Sequence, residues 1–328
     1  MVERLVLHVG LLKSGTTFVQ ARLGANLDEL ERQGVLFPTP WSRQVRAVTD
    51  LASSGAGAKA WARLAADVRD HPGTVLLSME FLAPIPEDRI RRVLADFPGA
   101  RVEVVITVRD LGRVVPAMWQ ETLQNRRSWA WSEFQRAVRS ESGTVGKRFW
   151  RQQDVGKVAK RWAKVLGPEQ VTVITVPPSG APPELLWERF CDVAGLAPAT
   201  WAPAPRANES LGVASALLLG RLNAALGDDV DRSVYNKAVK KRLAKQVLAA
   251  RKSDEPSIGF VVPDWLRKRS DARSADLAAT GVRVVGDLAE LVPRDVPGLD
   301  PDSVTAEQQL EAAVDALARL VQGSGKRR

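Results

Sequence analysis

The sequence predicts an α/β fold, a three-layer sandwich with a central parallel sheet, followed by a mainly helical C-terminal part. Short apolar runs alternate with segments of helical periodicity up to about residue 200, which is typical of parallel strands joined by crossover helices. The first apolar run ends in a glycine-containing turn that leads into a helix. Beyond about residue 200, helical patterns dominate.

Apolar runs rich in valine, leucine and isoleucine predict the strands. They lie at residues 5–9, 35–37, 74–78, 102–108, 171–176 and 282–288. Ligands of open parallel sheets bind beyond the carboxyl ends of the strands. Lys13, Glu80 and Arg109 each follow such an end, so we expect these three side chains to converge.

Amphipathic periodicity predicts the helices. One is expected from Thr16 to Gln33, a long basic one over 149–166, and one over 114–126 with Pro116 in its first turn. The others are expected at 42–70 with a loop at 53–57, 89–97, 184–194, 211–226, 234–251 and 305–321. We predict a single domain over residues 1–322, with a helical cap portion at about 200–280 and a disordered basic tail at 323–328.

The composition is ordinary for a globular protein, apart from an excess of positive charge. Of 328 residues, 45% are hydrophobic and 26% charged, and the net charge is +9. The basic residues are spread along the chain, so an arginine-rich composition explains the charge better than a surface that attracts a polyanion. One cysteine leaves no internal disulfide. No apolar run could span a bilayer and no secretory signal is visible, so we expect a cytoplasmic protein without a membrane partner.

The turn after the first strand has the features of a phosphate-binding loop. Gly10, Gly15 and Thr17 occupy the glycine and hydroxyl positions of the nucleotide-binding pattern G-x-x-x-x-G-K-[ST]. Thr16 takes the lysine position, and Lys13 lies earlier, inside the turn. Because kinases and nucleotide hydrolases use the late lysine on the β and γ phosphates, a triphosphate fits poorly. A single 5′-phosphate, with Lys13 facing the transferred group, fits better.

Two segments resemble the sulfotransferase family. Lys13-Ser14-Gly15-Thr16-Thr17 is similar to its 5′-phosphosulfate loop, roughly P-K-[ST]-G-T-[TS], with Leu12 where proline is usual. Val104-Val105-Ile106-Thr107-Val108-Arg109-Asp110 is similar to its strand that ends in arginine. The resemblance implies a P-loop-type fold and 3′-phosphoadenosine 5′-phosphosulfate (PAPS) as donor, with adenosine 3′,5′-bisphosphate (PAP) as product and no metal.

The resemblance also implies how the donor is held. Lys13 would stabilise charge on the bridging oxygen as the 5′-phosphate leaves, and the loop residues Ser14, Gly15, Thr16 and Thr17 would bind that phosphate. Arg109 would bind the 3′-phosphate through its guanidinium. The alternative for Arg109 is an ion pair with Asp110. The family's serine, eight residues after the arginine, falls on Ala117, and Gln120 could substitute for it.

The general base is expected at Glu80, which follows the strand at 74–78. Many cytosolic sulfotransferases use a histidine, but His8 lies within a strand and His71 in a turn before one. The heparan sulfate sulfotransferases are similar in using a glutamate in the corresponding region. The alternative for Glu80 is a surface carboxylate or a helix-start anion. For His8 we expect a core position with a hydrogen-bond partner.

Later segments are similar to the bacterial branch of the family, among them Trp150-Arg151-Gln152-Gln153-Asp154 and Arg206-Ala207-Asn208-Glu209-Ser210-Leu211-Gly212. Arg206, Asn208 and Ser210 could reach the 3′-phosphate of the donor. The alternative is that Asn208 or Ser210 caps the next helix. Trp119 and Trp150 could stack on adenine or on the acceptor, but core packing is the commoner fate of tryptophan. Cys191 is expected in the core of its helix. Nothing has metal-ligand spacing.

Together these features predict a PAPS-dependent sulfotransferase that transfers a sulfuryl group to a hydroxyl or amine of a small molecule or glycan. The alternatives are a P-loop small-molecule kinase or nucleotide hydrolase, and a non-catalytic protein that binds nucleotide or nucleic acid through its basic surface. No nucleic-acid-binding module is visible, so no nucleic-acid partner is expected. The acceptor site would depend on loops at about 38–60 and 126–148 and on the helical C-terminal part.

Overall fold

The computed structural model describes residues 1–54, 57–204 and 210–325, and it confirms the predicted α/β fold. The chain divides into two compact units. The first comprises Met1–Asp110, Trp150–Ala207 and Lys268–Val292, and the second Leu111–Phe149, Asn208–Arg267 and Pro293–Arg328. The single-domain organisation stays a prediction. Within the described ranges, no helix combines the length and the apolar character needed to cross a membrane.

The first unit contains a six-stranded, fully parallel sheet in the order β2-β3-β1-β4-β5-β6. In chain order the strands are β1 Val2–Gly10, β2 Val35–Leu36, β3 Gly73–Ser78, β4 Arg101–Val108, β5 Val171–Thr175 and β6 Arg283–Val285. β1 is central, and its neighbours β3 and β4 lie on opposite sides of it. The residues that follow these three strands therefore meet at one edge of the sheet, where the strand order reverses.

The helices, in chain order, are α1 Thr16–Ala25, α2 Leu27–Arg32, α3 Trp41–Ser54, α4 Lys59–Arg69, α5 Glu87–Asp96, α6 Leu111–Gln124, α7 Trp131–Ser140, α8 Gly143–Gln153, α9 Val155–Leu166, α10 Leu185–Ala194, α11 Val213–Leu226, α12 Arg232–Tyr235, α13 Asp264–Ala278 and α14 Ala306–Gly325. α12 continues into a π-helical segment, Asn236–Leu248. Residues 326–328 of the predicted tail lie outside the described residues.

Alternate residues of β1 face two separate apolar cores, as the period of a strand requires. Val6 faces a core formed with α1, α2 and α10. Leu5, Leu7 and Val9 face a second core, formed with α3, α4, α5 and α9. The first unit is therefore a sheet with helices on both faces, which is the predicted three-layer arrangement.

Two predicted helices are each broken in two by a polar residue. The helix expected over Thr16–Gln33 breaks at Asn26, whose Nδ2 donates to the carbonyls of Arg22 at 2.7 Å and Ala202 at 3.0 Å. The basic helix expected over 149–166 breaks at Asp154, which caps α9 by accepting from the Lys157 N–H at 3.2 Å. In each case the side chain bonds one helical backbone group, the Arg22 carbonyl or the Lys157 N–H, that would have a backbone partner in a continuous helix.

The prediction for Pro116 was wrong. α6 begins at Leu111, so Pro116 lies inside the helix and not in its first turn. The earlier start buries Leu111, Val114 and Val115, and this apolar burial offsets the backbone hydrogen bond that proline cannot make. α7 was not predicted at all. Its Trp131 packs against Trp119 and Phe260 of the second unit, with ring centroids 5.2 and 5.4 Å apart.

His8 occupies the core position that the sequence predicts. It is fully buried in β1, with Nδ1 2.8 Å from Ser78 Oγ on β3 and Nε2 3.1 Å from Thr107 Oγ1 on β4. Both hydroxyls can act as donor or acceptor, so they satisfy a neutral ring. Burial lowers the pKa of His8 to about 3. The imidazole therefore ties the three central strands together as a neutral group.

Burial of His8 makes stability depend on pH. The pKa of His8 is 6.5 in the unfolded chain and about 3 in the fold, so between these values the unfolded chain binds more protons and stability falls as the pH is lowered. At pH 5 this loss amounts to about 2 kcal/mol relative to neutral pH. Urea unfolding of His8→Gln at pH 7 and pH 5 should show a smaller pH dependence than the wild type. His71→Gln, at the only other histidine, is the control and should keep the wild-type dependence; equal dependence in all three proteins would contradict the account.

Candidate functional site

The loop between β1 and α1 has a left-handed backbone at three positions. The angle φ is 102° at Gly10, 60° at Lys13 and 82° at Gly15. Glycine adopts such angles at no cost, but lysine does not. Left-handed non-glycine residues are found preferentially at functional sites. Lys13 is therefore held in a costly conformation at the carboxyl end of the central strand.

The loop ends at the N-terminus of α1. Gly15 is the N-cap, and it has no side chain with which to cap the helix. The Val19 N–H donates to the Gly15 carbonyl at 3.1 Å, so the N–H groups of the turn before it have no intrahelical acceptor. Thr16 is buried and Thr17 is exposed. N–H groups without an intrahelical acceptor, together with the positive end of the helix dipole, make this end of α1 suited to an anion such as phosphate.

The Leu12 carbonyl fixes the shape of the loop. It accepts from Gln153 Nε2 at 2.9 Å and from Ser14 Oγ at 3.4 Å, and both side chains are buried. The Ser14 N–H donates to the Leu11 carbonyl at 3.3 Å. The N–H and the hydroxyl of Ser14 are thus both bonded within the loop, and these bonds shape its backbone. A direct contact of Ser14 with a donor stays a prediction.

Gln153 is held in place by the junction of α8 and α9. The Arg273 guanidinium lies 3.6 Å from the ring centroid of Trp150 and 3.4 Å from Asp154, the residue after Gln153. Burial lowers the pKa of Arg273 to about 10, which still leaves it charged at neutral pH. Trp150 is itself buried under this cation, so the expectation of core packing for Trp150 is confirmed.

Glu80 lies directly beside the loop. A Cβ atom added at Gly10 would come within 2.8 Å of Glu80 Cβ and 3.0 Å of Glu80 Cα. The buried side chain of Gln20, on α1, bridges the two segments because its Nε2 lies 3.1 Å from both the Ser78 carbonyl and Glu80 Oε2. The carboxylate that follows β3 is therefore attached to the helix that begins at the loop.

Arg109 reaches the same edge of the sheet from β4. The Leu11 N–H, at the start of the loop, donates to the Thr107 carbonyl at 2.5 Å. Arg109 lies two residues further along the chain, immediately after β4, and is half-buried. The first unit therefore brings the ends of β1, β3 and β4 together, with Lys13, Glu80 and Arg109 in the segments that follow them. Convergence of the three side chains stays a prediction.

A groove of about 770 Å³ opens between α3 and α4 in the same unit. Its lining includes Trp41, Arg46, Asp50, Lys59 and Arg63. Trp41 connects the groove to the end of β3, because its Nε1 donates to the Ser78 carbonyl at 3.4 Å. Of these five residues, all except Arg63 fall within residues 38–60, a stretch that is expected to contribute to the acceptor site.

A role of Arg206, Asn208 and Ser210 in donor binding stays a prediction. Arg206 and Asn208 lie outside the described residues, and Ser210 is exposed in the second unit. Trp119 is buried, and its Nε1 donates to the Trp129 carbonyl at 2.9 Å, which confirms core packing. Burial raises the pKa of the Cys191 thiol to about 12, so Cys191 is not an activated nucleophile. Among the described residues, no group of three His, Cys, Asp or Glu side chains could hold a metal ion.

Sequence reasoning missed Gln20 and Gln153. Gln20 could have been noticed as a polar residue one helical turn after Thr16, near the start of a helix with buried Val19 and Leu23. Gln153 lies in a segment that the resemblance singled out, but without a role. Each acts on a partner distant in the sequence, 60 residues away for Glu80 and 141 for Leu12, which no local pattern reveals.

Comparison with known proteins gives one finding. The structure is similar to the crystal structure of a sulfotransferase from Alicyclobacillus acidocaldarius, with 16% sequence identity, a TM-score of 0.41, and coverage of 70% of this chain and 98% of that chain. No protein-family model and no curated protein matches the sequence. The case for a function therefore rests on the loop, on Glu80 and on Arg109.

The close contact between Gly10 and Glu80 predicts that adding a methyl group at position 10 lowers the stability of the fold. Gly10→Ala should destabilise the fold by roughly 2–4 kcal/mol, because the new Cβ meets the backbone of Glu80 and alanine disfavours the left-handed conformation. Gly24→Ala is the control, since Gly24 lies in α1 with nothing within 4 Å of an added Cβ. It should stabilise the protein by about 0.5–1 kcal/mol. Urea unfolding of the two variants would contradict the account if both changes had the same sign.

Proposed function

We propose that this chain is a sulfotransferase that transfers a sulfuryl group from PAPS to a hydroxyl or amine of a small molecule or glycan. The observation that carries the proposal is the β1–α1 loop, with its left-handed Lys13 and uncapped helix N-terminus, next to a carboxylate that Gln20 holds. An anion site, a cation and a base at one edge of the sheet are what in-line sulfuryl transfer requires.

In this proposal the loop and Arg109 bind the two phosphates of the donor. The 5′-phosphate lies at the N-terminus of α1, where it accepts from the first-turn N–H groups and from the hydroxyls of Thr16 and Thr17. Gly15 allows the close approach of the backbone, and Ser14 shapes the loop. Arg109 binds the 3′-phosphate, since a guanidinium can grip two phosphate oxygens at once. Arg206, Asn208 and Ser210 remain candidates for the same phosphate.

At the sulfur atom, the transfer forms one bond and breaks one. The acceptor oxygen or nitrogen attacks sulfur while the bond between sulfur and the 5′-phosphate oxygen breaks, and PAP leaves with that electron pair. Lys13 stabilises the negative charge that develops on this oxygen. Glu80 takes the proton that the acceptor loses. Gln20 orients the carboxylate through its bond to Oε2, which leaves Oε1 to face the acceptor.

We place the acceptor at the end of the α3–α4 groove that lies next to Ser78. Trp41 offers an exposed ring on which a sugar or aromatic ring can stack. The kinase alternative is less well supported, because the position of the late phosphate-binding lysine is held by the buried Thr16.

Substitutions at the donor site should separate donor binding from general charge effects. Lys13→Ala and Arg109→Ala should each weaken PAP binding, Arg109→Ala by at least about tenfold, because each removes a charge-assisted contact with phosphate. Lys160→Ala removes an exposed cation of α9 in the same unit and is the matched control. Equilibrium dialysis with PAP measures all three; an Arg109→Ala affinity equal to that of Lys160→Ala would contradict the assignment of Arg109.

If Glu80 is the general base, its substitution should lower the turnover without weakening donor binding. Glu80→Gln keeps the shape of the side chain but cannot take a proton, so transfer from radiolabelled PAPS to a panel of hydroxyl and amine acceptors should fall by roughly 10²–10⁴-fold. PAP affinity should stay within about twofold, since Glu80 has no contact with the donor phosphates in this proposal. Glu31→Gln, at an exposed position on α2, is the control. A Glu80→Gln enzyme as active as Glu31→Gln would exclude Glu80 as the base.

A further inference from the structure

One side of α14, in the second unit, carries an exposed apolar stripe. Leu310, Val314, Leu317 and Val321 are 63%, 58%, 62% and 73% exposed. At 100° per residue, these four positions fall within an arc of about 60° on the helix. Isolated exposed apolar residues are ordinary, but a continuous row of large ones on a surface helix is typical of an interaction site.

The opposite side of α14 is fixed to its own unit. Ala312 and Ala316 are buried, Asp315 pairs with Arg251, and Arg319 pairs with Asp254 at 2.8 Å. The Leu320 carbonyl also accepts from Arg242 at 3.3 Å. Because these contacts set the rotation of the helix about its axis, the stripe cannot turn inward without breaking them.

The spacing of the stripe indicates what covers it. The four residues follow each other at intervals of 4, 3 and 4, which is the a/d pattern of a coiled-coil seam. Leucine takes the two d positions, 310 and 317, and valine the two a positions, 314 and 321. Valine at a with leucine at d favours two strands over three or four. We propose that this stripe pairs with the same stripe of a second copy of the chain, which forms a two-fold dimer.

The pairing surface is small, so the dimer should be weak. The seam covers only about one and a half heptads, and four partly exposed side chains per copy bury well under the ~800 Å² per partner of a standard interface. The helix is already ordered by its own unit, so no folding cost opposes the association. We therefore expect a dissociation constant on the order of 10–100 µM.

Sedimentation velocity of the full chain between ~1 and ~300 µM tests the proposal, since this range brackets the expected dissociation constant. The wild type should shift from monomer to dimer, and Leu317→Lys, which places a charge in the seam, should raise the dissociation constant by at least about 30-fold. Gln322→Lys adds the same charge at an exposed position of the same helix, outside the stripe, and should dimerise like the wild type. Val314→Asn, a polar change without charge, should also weaken the dimer. Unchanged melting temperatures would show that all variants are folded.

Two results would overturn the proposal. The first is a wild type that stays monomeric throughout the concentration range. The second is a dimer that Leu317→Lys and Gln322→Lys affect equally. If the wild type is monomeric and cosediments with phosphatidylcholine–phosphatidylglycerol vesicles, but Leu317→Lys does not, the stripe is a membrane-binding surface instead.

Discussion

The close approach of the backbone at Gly10 to Glu80 is the constraint on which the candidate site depends. Because position 10 has no side chain, the loop can pass within van der Waals distance of the residue that follows β3. The same position needs a left-handed φ to turn the chain out of the sheet. The turn directs Lys13 and the N-terminus of α1 to the sheet edge that also carries Glu80 and Arg109. Lys13, the N-terminus of α1 and Glu80 therefore follow one another closely in space as a consequence of the backbone path.

Buried polar side chains keep this arrangement in register. His8 links β1 to β3 through the Ser78 hydroxyl and to β4 through the Thr107 hydroxyl. Gln20 bonds α1 to the end of β3, and Gln153 bonds the loop to the end of α8. Both ring nitrogens of His8 have a hydroxyl partner, and the amide nitrogens of Gln20 and Gln153 donate to backbone carbonyls. These hydrogen bonds offset the free-energy cost of burying the polar groups.

The strands, the turn after β1 and the meeting of the strand ends that precede Lys13, Glu80 and Arg109 could be predicted from the sequence, because these follow from local periodicity and from the geometry of parallel sheets. The sequence did not reveal the helix breaks at Asn26 and Asp154, because the helical pattern of apolar residues continues through both. The bonds that stabilise the breaks, to the Ala202 carbonyl and from the Lys157 N–H, are visible only in the structure. Gln20 and Gln153 were missed for the same reason, as their partners are brought close only by the fold. The stripe on α14 has a clear heptad spacing, but only the structure shows that its other side is already buried.

Calorimetric titration of the wild-type protein with PAP, and separately with ATP and magnesium, tests the central claim most directly. If the loop is a 5′-phosphosulfate site, PAP should bind without magnesium and much more tightly than ATP does with it. The reason is that Lys13 precedes Gly15 and Thr16 replaces the lysine that a triphosphate needs. Magnesium-dependent binding of ATP in preference to PAP would contradict the account and favour a kinase. Binding of neither ligand would also contradict it, because the loop would then not be a nucleotide site.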